Sequence, residues 1–399
     1  MDIYQRFGVT RRINGAGLLT RLGGSLMARE VLEAMQAAAG AYVDMAELQS
    51  RASDVIARHT GAQAGIVTGG AAAALTLATA ACITRHDLSR MERLPDTDGM
   101  PNEVIMFRGH RTGYDHAFRA AGARIVEIGF NDQAVGSGVR GLEAWEIEAA
   151  IGPRTAAIGY AANPSGQPSL PMVCAVARRH NIPVIVDAAA RLPPKENLKR
   201  FVAEGASLVA YSGGKAIKGP QGSGILCGER ELVAAALIQN LDMDIQIETW
   251  EAPKGLLQSY FKDGLPHHGL GRGFKVDKET VVGLLVALER FVAADAEADL
   301  RDKHKQIEAL AALVAGLPNV RSTVLGAAVT KRYPVLELTF DADKLGFDAA
   351  EVSRRLQRLA LPVHLSERRM HEGVLLVDTA SLQAGDEKSI ADALKQVIR

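Results

Sequence analysis

A lysine in a glycine-rich loop and an aspartate at the end of an apolar segment are the residues of this chain best suited to chemistry. Lys215 lies in the loop 212–224, which follows the apolar residues 206–211. Asp187 ends the apolar segment 183–187. A lysine amine can form a Schiff base with the aldehyde of pyridoxal phosphate. A carboxylate can keep the pyridine nitrogen of that cofactor protonated, which makes the ring an electron sink. The two residues therefore predict a pyridoxal phosphate site.

A third segment predicts a seat for an anion. Thr68, Gly69, Gly70 and Ala71 lie between a β-prone pair and an alanine-rich helical stretch. Backbone N–H groups at a helix start attract negative charge, a threonine hydroxyl adds a donor, and glycine permits a phosphate to approach closely. Such a helix start is by itself more often plain packing. The order of phosphate seat, aspartate and lysine along one chain is much more specific.

The residues alone leave alternatives at two positions. Lys218 lies three residues after Lys215 and competes with it for the Schiff base. Asp187 at a strand end could instead cap a helix, which is a common role for aspartate. The spacing from Asp187 to Lys215 favours the cofactor site, because it accommodates a strand end, a helix, a second strand and the lysine loop.

Alternating segments predict an α/β fold. Short Val/Ile-rich runs alternate with alanine-rich helical stretches over residues 46–276, which predicts a mainly parallel sheet covered on both faces. Ligands of such sheets bind at the carboxyl ends of the strands. Residues 1–45 form a turn-rich N-terminal arm. Residues 277–399 begin with a long linking helix up to about Leu317 and continue as a small α+β C-terminal domain.

Several motifs resemble the selenocysteine synthase-like group of fold-type I pyridoxal phosphate enzymes. The resemblance spans residues 10–290 and is carried by the segments 12–17, 22–25, 186–190 and 212–221. Within that group, the segments 109–116, 192–198 and 271–276 are similar to ammonia lyases acting on D-glucosaminate 6-phosphate. The family pattern, a serine three residues before the lysine and then Gly-Pro-Gln, selects Lys215 over Lys218.

The resemblance implies further cofactor contacts. His110 would stack on the outer face of the cofactor ring, with Tyr114 and His116 as substitutes; the alternative is a histidine that caps the following helix. Ser212 would bind the phosphate. Arg272 and Lys275 would form a cationic clamp for the phosphate. The equally plausible alternative is that they belong to a solvated basic turn.

Substrate contacts are implied at both ends of the chain. Arg12, Asn14 and Arg21 lie in the arm, which helps to close the active site in related enzymes. Arg368 or Arg369 would hold a carboxylate through a bidentate pair. The neighbouring histidines 267 and 268 have no partner at zinc-like spacing, so no protein metal site is predicted.

Composition limits the partners and the location. Lys and Arg number 46, as do Asp and Glu, so the formal net charge of the 399 residues is zero and gives no electrostatic argument for nucleic acid or an anionic membrane. No run of 18 apolar residues predicts a membrane span. Cys82, Cys174 and Cys227 lack metal-site or redox spacing, which favours reduced thiols in the cytoplasm. Because fold-type I sites are shared between subunits, a homodimer is the smallest assembly expected.

The predicted reaction is the release of ammonia from a β-hydroxy amino acid or an amino-sugar acid. Lys215, displaced by the substrate amine, would take the α-proton; the β-hydroxyl would leave as water, and hydrolysis would release ammonia. A racemase, an aminotransferase or an aldolase would use the same electron sink and remains an alternative. A pyridoxal phosphate protein without catalysis is disfavoured by the intact Lys215–Asp187 pair. Selenium transfer to seryl-tRNA is disfavoured by the neutral charge and by the lack of room for an additional N-terminal region.

Overall fold

The structure is a computed structural model that describes residues 2–132, 138–139, 142–163, 166–246, 248–258, 260, 264, 266–330 and 332–398. Its strands, in chain order, are β1 (Ile13–Gly15), β2 (Ala64–Thr68), β3 (Glu103–Phe107), β4 (Arg124–Ile128), β5 (Asn131–Asp132), β6 (Gly138–Val139), β7 (Thr155–Ala161), β8 (Val184–Asp187), β9 (Leu208–Ser212), β10 (Gly224–Gly228), β11 (Val320–Leu325), β12 (Val335–Phe340), β13 (Val363–Leu365) and β14 (Val374–Asp378).

The α-helices are α1 (Ile3–Arg6), α2 (Arg29–Ala39), α3 (Met45–Thr60), α4 (Ala71–Thr84), α5 (Leu88–Arg93), α6 (His116–Ala120), α7 (Ala144–Ala150), α8 (Leu170–Arg179), α9 (Asn197–Ala203), α10 (Arg230–Ile238), α11 (Lys278–Ala293), α12 (Ala296–Val314), α13 (Ala327–Thr330), α14 (Ala342–Leu345), α15 (Ala349–Gln357) and α16 (Asp386–Ile398). Short 3-10 turns lie at Thr20–Leu22, Arg108–His110, Gly113–Asp115, Leu270–Phe274 and Met370–Glu372. Over the described residues, no helix has the length and apolar character needed to span a membrane.

The chain divides into two compact units. The larger unit is Met27–Val292, and the smaller unit combines Met1–Leu26 with Ala293–Arg399. The predicted boundaries at 45/46 and 276/277 differ from this division. The arm residues up to Leu26 belong with the C-terminal residues because β1 pairs in parallel with β13.

A large sheet organises the larger unit. Its described strands lie in the order β2-β10-β9-β8-β7-β3-β4, and β10 alone among them runs antiparallel to its neighbours. The mainly parallel sheet predicted from the alternating segments is therefore confirmed. Because all the other strands share one direction, their carboxyl ends lie along one edge, and β10 begins at that edge.

Apolar side chains cover both faces of this sheet. Successive strand residues point to opposite faces, and Ile66 and Val67 accordingly belong to different apolar clusters. The same alternation separates Ile185 from Val186. Two buried faces explain why the strands are continuous apolar runs in the sequence rather than alternating ones.

Helix ends in the larger unit follow local sequence signals. Asp44 caps α3 by accepting a hydrogen bond from the Glu47 N–H, and Gly61, with φ of 71°, ends that helix in the left-handed region. α4 differs, because it starts at Gly70 without a side-chain cap. Its first N–H groups are consequently left without partners inside the helix.

The smaller unit contains a three-stranded sheet, β11-β12-β14, and the parallel pair β1–β13. The single long helix predicted up to about Leu317 is wrong. Asp295 accepts hydrogen bonds from the N–H groups of Glu297 and Ala298, so a new helix, α12, begins there after α11 has ended at Ala293. An aspartate that satisfies two N–H groups is a strong start signal within an otherwise helical pattern.

Candidate active site

The carboxyl edge of the large sheet collects three of the predicted site residues. Thr68, Asp187 and Ser212 are the last residues of β2, β8 and β9. Gly224, the first residue of β10, pairs with both Thr68 and Ser212, so these three residues form one row across adjacent strands. Asp187 pairs with Ala210 on the neighbouring strand β9. The register thus brings the proposed phosphate and pyridine contacts to one edge.

The anion seat at the start of α4 is built from closely packed backbone. Gly70 has φ of 111°, and its carbonyl accepts a hydrogen bond from the Thr68 hydroxyl at 2.9 Å. A Cβ atom at position 224 would lie 2.4 Å from the Gly70 carbonyl carbon, and one at position 69 would lie 2.9 Å from the Phe274 carbonyl oxygen. Only glycine fits at these positions, and the packing leaves the N–H groups at the start of the fourteen-residue helix α4 available to an anion.

The lysine loop is held by its glycines. A Cβ atom at position 213 would lie 2.1 Å from the Ser223 hydroxyl, and one at position 214 would lie 2.4 Å from the Gln221 Cα. Hydrogen bonds from Gly213 N to Ser223 O and from Gly219 N to Gly213 O, each 2.9 Å, close the loop. The fold therefore places the lysine on a tightly packed turn.

Lys215 and Lys218 occupy different environments in this loop. Lys215 is half-buried, and its charge lowers the pKa of Asp187. Lys218 is exposed and has a positive φ of 58°. Of the two lysines, Lys215 is the one whose charge lowers the pKa of Asp187, which agrees with its selection as the reactive lysine.

Asp187 has two opposing influences on its charge. Burial, the larger influence, raises the pKa of its carboxyl group, and the Ala189 N–H bond, Lys215 and Arg191 lower it. The Ala189 N–H donates to Oδ1 at 2.9 Å. A carboxylate that is costly to bury gains stability from a nearby protonated ring nitrogen, so this residue suits the pyridine of the cofactor.

His110 lies at the same edge and is almost completely buried, with 3% of its surface exposed. Its Nε2 atom is 2.8 Å from the Gln167 carbonyl oxygen and 2.8 Å from the Asn163 side-chain nitrogen. Its Nδ1 atom is buried without a hydrogen-bond partner among the described residues. Burial lowers the pKa of the ring. A neutral imidazole with one unused nitrogen is therefore available at this position.

His110 and Asp187 line one narrow pocket. The remaining lining residues are Met106, Thr112, Tyr114, Asp115, Phe118 and Ala161. His110 does not cap the following helical turn, because Thr112 does so by accepting from the Tyr114 N–H. Tyr114 and His116, the substitutes for His110, are both exposed. Of the three candidates for the stacking residue, His110 is thus the one that is both buried and in the pocket with Asp187.

The proposed clamp residues behave differently from each other. Arg272 donates to Asp242 at 2.9 Å and to the Asn240 carbonyl at 3.4 Å, so its guanidinium is already engaged. Lys275 is exposed, and its carbonyl oxygen would lie 3.8 Å from a Cβ atom at position 69. Lys275 therefore lies beside the anion seat without such an ion pair among the described residues.

The substrate-contact candidates lie in the smaller unit. Asn14 uses its side chain within its own turn, donating to Gly17 O at 2.9 Å and accepting from Ala16 N at 3.0 Å. Arg369 is paired with both Glu337 and Glu372, whereas Arg368 is exposed. Asn14 and Arg369 thus have structural partners.

Arg12 and Arg21 are exposed. The Arg12 guanidinium contacts His364 at 3.3 Å, and that of Arg21 lies 3.9 Å from Glu367.

Sequence analysis did not identify Asn163, Gln167 or His364. Asn163 follows β7 in Asn-Pro-Ser-Gly, and a polar residue just after an apolar strand was an available signal, since the other site residues follow strands in the same way. Gln167 contributes only its backbone carbonyl, and His364 lies within a strand. Neither of these two residues carries a local sequence signal.

Comparisons with known proteins agree with this geometry. No protein-family model matches the chain. The chain is 30% identical over 404 residues to a D-glucosaminate-6-phosphate ammonia lyase of Salmonella typhimurium, covering 99% of this chain and 98% of the relative. It is 32% identical over 407 residues to a 5'-C-glycyluridine monooxygenase-decarboxylase of a Streptomyces species, covering 99% and 92%.

A more distant relative and a solved structure complete the comparison. An L-seryl-tRNA(Sec) selenium transferase of Geobacter metallireducens is 25% identical, and the alignment covers 98% of this chain and 84% of the relative. A solved D-glucosaminate-6-phosphate ammonia lyase superposes with a TM-score of 0.80 at 29% identity, covering 100% of this chain and 98% of that one. The fold class and the family resemblance are therefore confirmed. The chain belongs to the selenocysteine synthase-like group of fold-type I pyridoxal phosphate-dependent enzymes, and its cofactor is pyridoxal 5'-phosphate.

Proposed function

We propose that this enzyme is an ammonia lyase that eliminates water from a β-hydroxy amino acid or an amino-sugar acid of the D-glucosaminate 6-phosphate type. The observation that carries the proposal is the Lys215–Asp187 pair at the sheet edge, in a chain 30% identical over nearly its full length to such a lyase. The sugar acid has both the α-amino group and the β-hydroxyl that this elimination requires.

The edge residues fit the cofactor. The N–H groups of Gly69, Gly70 and Ala71, with the hydroxyl of Ser212, would hold its phosphate. The Thr68 hydroxyl would join them by exchanging its hydrogen bond to the Gly70 carbonyl for one to the phosphate. Lys275 would add a positive charge beside them; Arg272 would add a second one if it exchanged Asp242 for the phosphate. Asp187 would bind the protonated pyridine nitrogen, and His110 would cover the ring. When bound, the cofactor supplies an electron sink for the pair left at the substrate Cα.

Lys215 carries the proton transfers in this proposal. Its amine is released when the substrate amine takes its place, and it then accepts the proton from the substrate Cα. The resulting ammonium can donate that proton to the departing β-hydroxyl, which leaves as water. Hydrolysis of the released enamine yields an oxo acid and ammonia, so neither an oxidant nor a reductant is consumed.

The smaller unit supplies proposed substrate contacts. Arg12 and Arg21, together with the exposed Arg368, are the arginines available to an anionic group of the substrate. Asn14 and Arg369 remain proposed contacts only through rearrangement, because their side chains already have the partners described above.

A second candidate function is oxidative decarboxylation of an amino acid. It is favoured by the 32% identity to a monooxygenase-decarboxylase over 99% of this chain. Both reactions begin at the substrate Cα and use the same electron sink, so Lys215 and Asp187 do not discriminate between them. Consumption of oxygen does.

A homodimer in the cytoplasm is the proposed assembly and location. The larger unit exposes Tyr42 completely and Leu32 and Val43 by about half, and α2 buries Val31 alone among its described apolar residues. Apolar surface of this kind is typical of a subunit interface. Free cysteines in the described chain suit a reducing compartment. Light scattering at several protein concentrations tests the assembly, and a monomer at micromolar concentration would contradict it.

Product analysis tests the reaction. The purified, cofactor-loaded enzyme is incubated with D-glucosaminate 6-phosphate, its unphosphorylated form and a set of β-hydroxy amino acids, with and without oxygen and without a keto acid. We expect sustained, oxygen-independent release of equal amounts of ammonia and oxo acid. Oxygen-dependent release of carbon dioxide would replace the lyase by the decarboxylase. Turnover that requires a keto acid, or racemisation without ammonia, would also reject it.

A further inference from the structure

The pairing of β1 with β13 brings an arginine and a buried histidine together. Asn14 pairs with His364 in this ladder, and Arg12 lies two residues before Asn14. The Nη1 atom of Arg12 is 3.3 Å from Nε2 of His364. Because a guanidinium only donates hydrogen bonds, Nε2 of His364 must be the acceptor. The ring proton of the neutral imidazole is therefore on Nδ1.

That ring N–H has no acceptor of its own. Nδ1 of His364 is buried without a hydrogen-bond partner among the described residues, and 4% of the residue is exposed. Buried donors are almost always paired, because an unpaired one loses its hydrogen bonds to water without replacement. An acceptor supplied from outside the protein would satisfy it.

A second guanidinium acts on the same histidine. The charges of Arg21 and Arg12 both lower the pKa of His364, after the larger effect of burial. The Nη2 atom of Arg21 lies 3.9 Å from Oε2 of Glu367. Oε1 of Glu367 already accepts hydrogen bonds from Ser353 at 2.6 Å and Gln357 at 2.9 Å. Arg21 thus lies near a carboxylate that is already engaged elsewhere, and the charges of both arginines act on the His364 ring.

We propose that Arg12, Arg21 and His364 form a binding site for an oxyanion, a phosphate ester or a carboxylate, carried by a sugar acid. Guanidinium groups hold such anions through charge-assisted hydrogen bonds, and the buried ring N–H adds a fixed direction. The assignment of this oxyanion to the substrate rests on the proposed lyase function. The binding of the oxyanion does not.

Calorimetric titration of the cofactor-loaded enzyme tests the site. The probes are 6-phosphogluconate, gluconate and inorganic phosphate, which lack the amino group and do not react. R12Q and R21Q should each weaken the tightest-binding probe about tenfold, the size expected for a lost charge-assisted hydrogen bond. R11Q is the matched control, because it removes the same charge from Arg11, an exposed neighbour of Arg12 that pairs with Asp2 instead. It should stay within about twofold of the wild type.

Substitutions of His364 test whether its Nδ1–H group donates to the oxyanion. H364N keeps a donor near the Nδ1 position and should retain most of the affinity, whereas H364L should lose it to the same extent as R12Q. Thermal unfolding and the visible absorbance of the bound cofactor report whether each variant is folded and loaded. Preferential binding of 6-phosphogluconate assigns the oxyanion as a phosphate ester, and equal binding of gluconate assigns it as a carboxylate.

The outcomes that overturn the site differ from those that overturn the lyase. Equal losses in R11Q and R12Q, or unchanged affinity in R12Q and R21Q, would reject the site even if ammonia is released. Absence of ammonia release, with probe binding lost in R12Q but kept in R11Q, would reject the lyase and keep the site. If the oxyanion belongs to the substrate, R12Q should raise KM about tenfold with little change in kcat.

Discussion

The carboxyl edge of the large sheet and the Arg12–Arg21–His364 cluster position polar groups in opposite ways. At the sheet edge, closely packed glycines hold the loop of Lys215 and the start of α4, and positions 213, 214 and 224 have no room for a Cβ atom. In the cluster, two long exposed arginine side chains approach one buried ring. The edge is therefore rigid and suited to a cofactor shared by many reactions, whereas the cluster can be altered by exchanging a side chain. If the cluster binds the substrate oxyanion, as proposed, exchanging one of its side chains would change the specificity and leave the chemistry at Lys215 unchanged.

Substitution of Lys215 should give the largest effect on turnover, and it tests most directly whether the sheet edge carries the chemistry. K215A removes both the cofactor bond and the proposed base, so turnover should fall by at least on the order of 10²- to 10⁴-fold. K218A is the matched control and should retain most activity, because Lys218 is exposed. Borohydride reduction followed by peptide mapping should locate the cofactor on Lys215. A label on Lys218 would contradict the assignment.

D187N should have the next largest effect. A neutral amide no longer stabilises a protonated pyridine, while the fold and part of the cofactor binding should survive the nearly isosteric change. Loss of a preorganised charge of this kind lowers kcat on the order of 10²-fold or more. Steady-state kinetics on the cofactor-saturated variant provide the measurement. Wild-type turnover would remove Asp187 from the site.

G224A tests whether the edge is as rigid as its packing indicates. The added Cβ would lie 2.4 Å from the Gly70 carbonyl carbon and 2.7 Å from Ala71 N, so the anion seat must move. We expect weaker cofactor binding and a stability loss of about 1–3 kcal/mol, as for other overpacked sites. G222A is the control, since a Cβ there meets no atom within 4 Å. Chemical denaturation and cofactor titration should separate the two variants; equal behaviour would mean that the edge adapts.

The pH dependence of stability should give the smallest effect and sharpens the description of the cluster. Burial, Arg21 and Arg12 lower the pKa of His364 below its usual value of 6.5, and Glu367 opposes them. The unfolded chain therefore binds more protons than the folded protein just below pH 6.5, and stability should fall as the pH falls through this range. His110 contributes in the same direction. H364N should show a shallower fall in melting temperature between pH 7 and pH 5.5, and an unchanged slope would contradict this.

The edge could be predicted from sequence because its residues follow recognisable strands. Thr68, Asp187 and Ser212 each end an apolar run, and the parallel direction of those runs places them together. The local glycine pattern around Lys215 adds a second signal. Fold class and cofactor followed from these features.

The cluster could not be predicted in the same way. Arg12 and His364 are 352 residues apart and meet only through the β1–β13 pairing. A three-residue strand carries too little pattern to predict its partner, and the pairing also assigns the arm to the C-terminal unit. The helix start at Asp295 was not predicted for a different reason. The break between α11 and α12 is so short that the amphipathic pattern continues across it with the same periodicity.

The antiparallel direction of β10 has a consequence for the order in which the chain folds. Adjacent antiparallel strands need only a local connection, whereas parallel ones need a crossover, so β9 and β10 with their lysine loop form a hairpin. Hairpins close quickly because little loop entropy is lost. β2 must reach the other side of β10 from a distant part of the chain. In pulsed hydrogen exchange during refolding, we expect β9 and β10 to gain protection before β2, so that Lys215 is positioned before the proposed phosphate seat is complete.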